Sequence, residues 1–142
     1  MIGEVLVGVD FSSASRQALD RAAMWSSRLC VPLRILHVLM PPAPMLPEAQ
    51  IALPDQEWLS SMETHAREQL QTWAQGLPNT TALVKWGSPA EELVAEASPD
   101  TLLVVAQVGH TTLERLLFGS TAARVVRHAP CDVLVVRAEA KK

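Results

Sequence analysis

The feature that most limits how this chain can fold is a repeated alternation. Short Val- and Leu-rich runs at residues 5–9, 33–38, 80–86, 101–106 and 132–136 take turns with longer segments of helical spacing. Apolar runs without clean polar alternation suit strands covered on both faces, as in parallel sheets. Between the first two runs, Leu19, Ala22, Ala23, Ser26 and Leu29 recur every three or four residues, which predicts a helix ending near Leu29. Trp58, Met62, Ala66, Leu70, Trp73 and Leu77 predict a second helix, closed by Pro78-Asn79. Ser88-Pro89 opens a third, ending near Ser98-Pro99, with Glu91 and Glu92 suited to its first turn. Gly119-Ser120 opens the last helix, which should carry Ala122, Val125 and Val126 inward until Pro130 stops it. Strands alternating with helices specify an α/β domain: a doubly wound, Rossmann-like, five-stranded parallel sheet with helices on both faces.

With 142 residues, one domain spanning 1–142 is expected, long enough to bury about two thirds of its unfolded surface. Residues 39–56 hold five of the ten prolines and read as an irregular Pro-rich loop inside that domain. Residues 113–117 read as a short helical turn, and 137–142 as a polar, frayed tail.

Several function classes are excluded. Twelve Lys and Arg against fifteen Asp and Glu give a charge of −3, which disfavours nucleic-acid binding. Aromatics are 4% with no Tyr, too few for a base-stacking platform. No apolar stretch reaches the roughly 18 residues needed to span a membrane, and the N-terminus lacks a basic leader. A cytoplasmic protein without membrane insertion is expected. Two distant cysteines, Cys30 and Cys131, make no disulfide scaffold. Cys131 is expected to be buried at a strand start. His128-x-x-Cys131 offers two ligands, which do not make a zinc site. No Ser/His/Asp set can be assembled without arbitrary choices, and the four Trp residues are expected to pack helices and a strand.

In open α/β sheets, ligands bind beyond the carboxyl ends of the strands. Asp10, Val38 and the segment 106–109 stand at such ends. Gly119-Ser120 stands at a helix N-terminus, where free N–H groups and the helix dipole attract phosphate; the alternative is that Ser120 simply caps its helix. Asp10 reads equally well as a turn residue, and Val38 as an ordinary strand residue. Neither a Gly-Lys-Ser/Thr phosphate loop nor a GxGxxG turn is present; the first strand continues Gly8-Val9-Asp10-Phe11-Ser12.

The stretch from Val104-Val105-Ala106-Gln107-Val108-Gly109-His110 through Leu117-Phe118-Gly119-Ser120, followed by Arg127-His128-Ala129-Pro130-Cys131-Asp132, resembles the signature of the universal stress protein family. Residues 5–13 and Leu36-His37-Val38 match it too, so the resemblance runs along the whole chain. ATP-binding members carry Gly-x2-Gly-x9-Gly-Ser/Thr. Here Gly109, Gly119 and Ser120 match, and Ala106 stands at the first glycine position. A methyl there removes glycine's freedom at positive φ and crowds a ribose; in an ordinary β backbone it costs little.

The resemblance implies ATP (or AMP or ADP, with or without Mg) as ligand and a stress-response or regulatory role without catalysis. It implies a nucleotide site made by Gly8, Asp10, Val38, Ala106, Gly109, His110, Gly119, Ser120 and Thr121. Asp10 would meet the ribose, the adenine or a phosphate-bound metal ion, and Val38 the adenine through its backbone. Gly109, Gly119, Ser120 and Thr121 would line the phosphates; His110 either touches phosphate or is a solvent-exposed loop residue. It further implies a homodimer joined along the edge of residues 132–136, and a regulatory partner that the sequence does not identify. The alternative is a nucleotide-free dimeric adaptor. A third reading, an ATPase, lacks an obvious catalytic set: Asp10, His110 and Arg115 or Arg124 are all that is on offer.

Overall fold

The computed structural model describes residues 1–41, 56–108 and 119–137. Five strands and four helices alternate: β1 Glu4–Gly8, α1 Ser13–Leu29, β2 Leu33–Leu39, α2 Gln56–Ala74, β3 Thr80–Trp86, α3 Pro89–Glu96, β4 Thr101–Ala106, α4 Ser120–His128 and β5 Asp132–Val136. The strands form one sheet in the order β3-β2-β1-β4-β5, all neighbours parallel. Leu39 and Gln56 thus belong to β2 and α2 rather than to the Pro-rich loop; the rest of that loop beyond Pro41, the turn expected at 113–117 and the tail beyond Arg137 lie outside the described residues.

Side-chain alternation on the strands sorts the core into two layers. On one face, Val5, Val7, Leu33, Ile35 and Val104 pack under Ala18, Leu19 and Ala22 of α1 and Leu70 of α2. On the other, Leu6, Leu36, Leu103 and Val105 pack against Ala90 and Leu93 of α3 and Ala122 and Val125 of α4. Gly8 serves this second layer: a Cβ there would lie 2.8 Å from Leu93 Cδ1, so its bareness lets α3 close on the sheet.

Two helical expectations change. Val126 is not inward; it is 49% exposed, because the buried stripe of this nine-residue helix runs through Ala122 and Val125 only. And α2 stops at Ala74, ahead of Leu77 and Pro78, because Gly76 turns the backbone at φ 80°. Leu77 still packs on the core. Of the tryptophans, Trp73 joins the core layer, whereas Trp58 is exposed.

At the end of the sheet where β1, β2 and β4 begin, polar side chains satisfy each other. Thr101 Oγ1 donates to Glu4 Oε1 at 2.8 Å, and Arg34 donates to the same oxygen at 3.3 Å. Arg34 and Lys85 both donate to Glu96 at the end of α3. Lys85 and Arg34 hydrogen bonds hold the Glu96 carboxyl below the ordinary carboxylate range, against the opposing effect of burial.

Candidate functional site

The opposite end of the sheet opens into a cavity of about 330 Å³, within the range of small-molecule sites. It lies where the strand order reverses, between the connections leaving β1 and β4. Its wall is made by Gly8 to Asp10 after β1, Leu36 to Val38 on β2, Val105 to Val108 at the end of β4, Pro89 and Leu93 of α3, and Gly119 to Ala122 at the start of α4.

The turn from β1 into α1 is internally satisfied. Ser12 caps α1 by accepting from Ser15 N at 3.1 Å. Asp10 Oδ1 accepts from Ser12 N at 3.0 Å and from the Ser12 hydroxyl, while Asp10 N donates to Ser15 Oγ at 3.2 Å. This network fixes the Asp10 carboxylate at the cavity wall. It also forces Phe11 into the left-handed region, φ 65°, which a non-glycine residue adopts only when its surroundings hold it there. The Phe11 ring is held between His37, centroids 4.5 Å apart, and the edge of Trp73 at 5.2 Å.

The start of α4 is built differently. Gly119 is the N-cap and has no side chain with which to bond the first turn, and no side-chain cap bond is present among the described residues. Ser120 is therefore the first helical residue and not the cap, which removes the plain capping reading. Gly119 N donates to Gln107 O at 2.7 Å, and Gln107 N to Val136 O at 2.8 Å, so the cap is pinned to the ends of β4 and β5. The first turn carries no acidic residue. Amides at the start of a helix have no partner within it, and here Ser120, Thr121 and Ala122 line the cavity. Ala106 also lines it; it lies in β4, opposite Val136, and is not among the residues of positive φ. Its backbone is ordinary strand, so its methyl costs the fold nothing.

Gly8, Asp10, Val38, Ala106, Gly119, Ser120 and Thr121 are thus brought to one cavity from four separate parts of the chain. Gly109 and His110 lie outside the described residues. The structure adds His37, Gln107, Pro89 and Leu93 to the wall. Gln107 falls in the strand-end segment 106–109 already singled out, and His37 carried a signal as the single polar ring in the apolar run of β2. Among the described residues no three His, Cys, Asp or Glu side chains could hold a metal ion, and no helix is long and apolar enough to cross a membrane. Cys131 is half-buried just ahead of β5, and burial pushes its thiol pKa up.

Comparison with known proteins fits this architecture. The profile of the universal stress protein family matches residues 1–137. The chain belongs to that family. A Staphylococcus haemolyticus relative bearing the universal stress protein name is 27% identical over 144 residues, covering 95% of this chain and 84% of that protein. Among solved structures, universal stress protein UspA from Lactobacillus plantarum is 28% identical, with a TM-score of 0.74 over 95% of this chain and 97% of its own. A universal stress protein in complex with cAMP is 26% identical, with a TM-score of 0.61 over 96% and 98% of the two chains.

Proposed function

We propose that this universal stress protein binds ATP or another adenine nucleotide and acts as a non-catalytic regulatory protein of the cytoplasm. The observation that carries the reading is the glycine-capped, acid-free start of α4, whose first residues open into a cavity walled on its other sides by Asp10 and Val38. Phosphates belong at Gly119, Ser120 and Thr121, where N–H groups and the helix dipole favour anions and Gly119 admits close approach. The ribose, or a metal ion arriving with the phosphates, belongs beside Asp10 and Ala106, and the base beside Val38. The relative solved with cAMP lends support, since that ligand is also an adenine nucleotide. No Lys or Arg is among the described residues of the wall, which favours holding the nucleotide over cleaving it.

Calorimetric titration with Mg·ATP tests the reading: saturable heat is expected. No heat and no thermal shift at millimolar ATP would favour the nucleotide-free adaptor. A bound nucleotide should survive for hours; phosphate release lost in Asp10→Ala would make the protein an ATPase.

The same reading includes a homodimer along β5, an edge strand of five residues without proline. Since Val136 O faces β4, alternation points the N–H and C=O of Val133 and Val135 outward. Antiparallel pairing with a second copy would satisfy them under two-fold symmetry. Light scattering should give a mass near twice the 15.5 kDa of the chain. Val135→Pro, which deletes an outward N–H, should give a monomer; a folded variant that stays dimeric would move the interface elsewhere.

A further inference from the structure

The ladder between β1 and β2 stops half a rung early. Its last paired residues are Gly8 and Leu36, yet Val9 N still donates to Leu36 O at 3.0 Å. In a parallel ladder the complementary bond would run from Val38 N to Val9 O, making Val9 and His37 the next pair. That pair is absent from the register. The Val9 carbonyl is instead met by the His37 side chain, Nδ1 to O 2.8 Å. A carbonyl only accepts, so Nδ1 carries the proton and donates. The ring is held for this task by the Phe11 face. Leu36 O faces β1, so Val38, two residues on, aims its own N–H and C=O the same way, past the point where β1 has turned off. Val38 lines the cavity there.

We propose that His37 is the positioning residue of this site: by occupying the Val9 carbonyl it keeps the Val38 N–H out of the sheet and leaves it for the ligand. This rests on the adenine-nucleotide reading, because a purine edge, with a ring-nitrogen acceptor beside an exocyclic amine donor, matches one residue's N–H and C=O. His37 acts through Val38.

Amide hydrogen exchange of the ¹⁵N-labelled full chain separates the two layers of the argument. In ligand-free wild type, the Val38 amide should exchange at least about tenfold faster than the Leu36 amide, and it should slow when Mg·ATP is added. His37→Phe keeps the ring on Phe11 but removes the donor. The rung should then close: Val38 becomes protected without ligand, and ATP affinity falls about tenfold. His37→Asn puts a side-chain N–H near the Nδ1 position without the ring, and should restore fast Val38 exchange and affinity within about threefold of wild type. A Val38 amide already protected in ligand-free wild type would overturn the proposal, as would full ATP affinity in His37→Phe. Loss of affinity in His37→Asn with retention in His37→Phe would overturn it too, by assigning the effect to stacking. If wild type binds no ATP, the nucleotide reading fails by itself, and the ligand-free exchange of Val38 still decides what His37 does.

Discussion

The two ends of this sheet solve opposite problems. Where β1, β2 and β4 begin, Glu4, Arg34, Glu96 and Thr101 meet each other, and Lys85 joins them on Glu96. The partners there are mainly charged side chains, with the Glu96 carbonyl also accepting from Arg34, and most of the network is sheltered. Where those strands finish, the polar groups are mainly backbone: the first amides of α4, and Val38 beyond the last rung of its ladder. Among the described residues no cap side chain closes that helix start. The first end spends its polar side chains on each other; the second leaves the first residues of α4 and Val38 at a cavity. A parallel sheet makes this division possible because all its strands finish on the same side.

The largest test of the contrast is Gly119→Val. Gly119 has φ −60° and ψ 161°, which valine adopts freely. The variant should melt within a few degrees of wild type, while calorimetry shows ATP affinity reduced by more than about 100-fold. Equal affinity would remove α4 from the site. At the other end, Glu96→Gln should cost about 2 kcal/mol of stability at neutral pH and leave ATP affinity unchanged. Because the folded state holds the Glu96 carboxyl below its ordinary range, it binds fewer protons than the unfolded chain there. Its contribution is therefore complete above the unfolded-state pKa and is lost as pH falls through the lowered folded value. Thermal unfolding followed from about pH 7 to about pH 3 should show a shallower acid limb in the variant; an unchanged limb would deny Glu96 this role.

Thr121→Asp sharpens the comparison by giving α4 the acidic first turn that α3 has in Glu91 and Glu92. The free protein should gain a few tenths of a kcal/mol, and ATP should bind about tenfold more weakly, with the loss shrinking in high salt. The smallest effect is expected for Ala106→Gly. Its backbone is already ordinary strand, so only the methyl changes; affinity should tighten severalfold, by up to about tenfold. Unchanged or weaker binding would show that the methyl does not crowd the ligand.

Much of this was legible because the strands are apolar on both faces and their ends bear punctuation. Residues 80–86, 101–106 and 132–136 are strands with those same limits, and Asp10, Val38, Ala106 and Gly119 meet as the parallel topology requires. What was hidden was decided by tertiary contact. Val126 continues an apolar pattern, but α4 is too short and too near the sheet edge for a third residue to find cover. Ser120 reads as a cap because serine so commonly caps, whereas Gly119, held by the bond from its N to Gln107 O, is the cap, and the helix starts one residue earlier. Gly8 lines the cavity, and its second role was hidden: a Cβ there would press on Leu93 of α3. The left-handed Phe11 has no sequence signal, since the Asp10–Ser12 hydrogen bonds on either side of it and ring contacts with His37 of β2 and Trp73 of α2 accompany that conformation.

The glycine cap of α4 has a consequence for lineages as well as for single molecules. Because no side-chain cap bond secures that helix start among the described residues, a mutation can spoil the amides that face the cavity without removing a cap bond. Selection for a folded, abundant protein is blind to such a change; only selection for the bound ligand sees it. On the proposed reading, single substitutions at this helix start would switch ligand binding off without passing through an unstable protein.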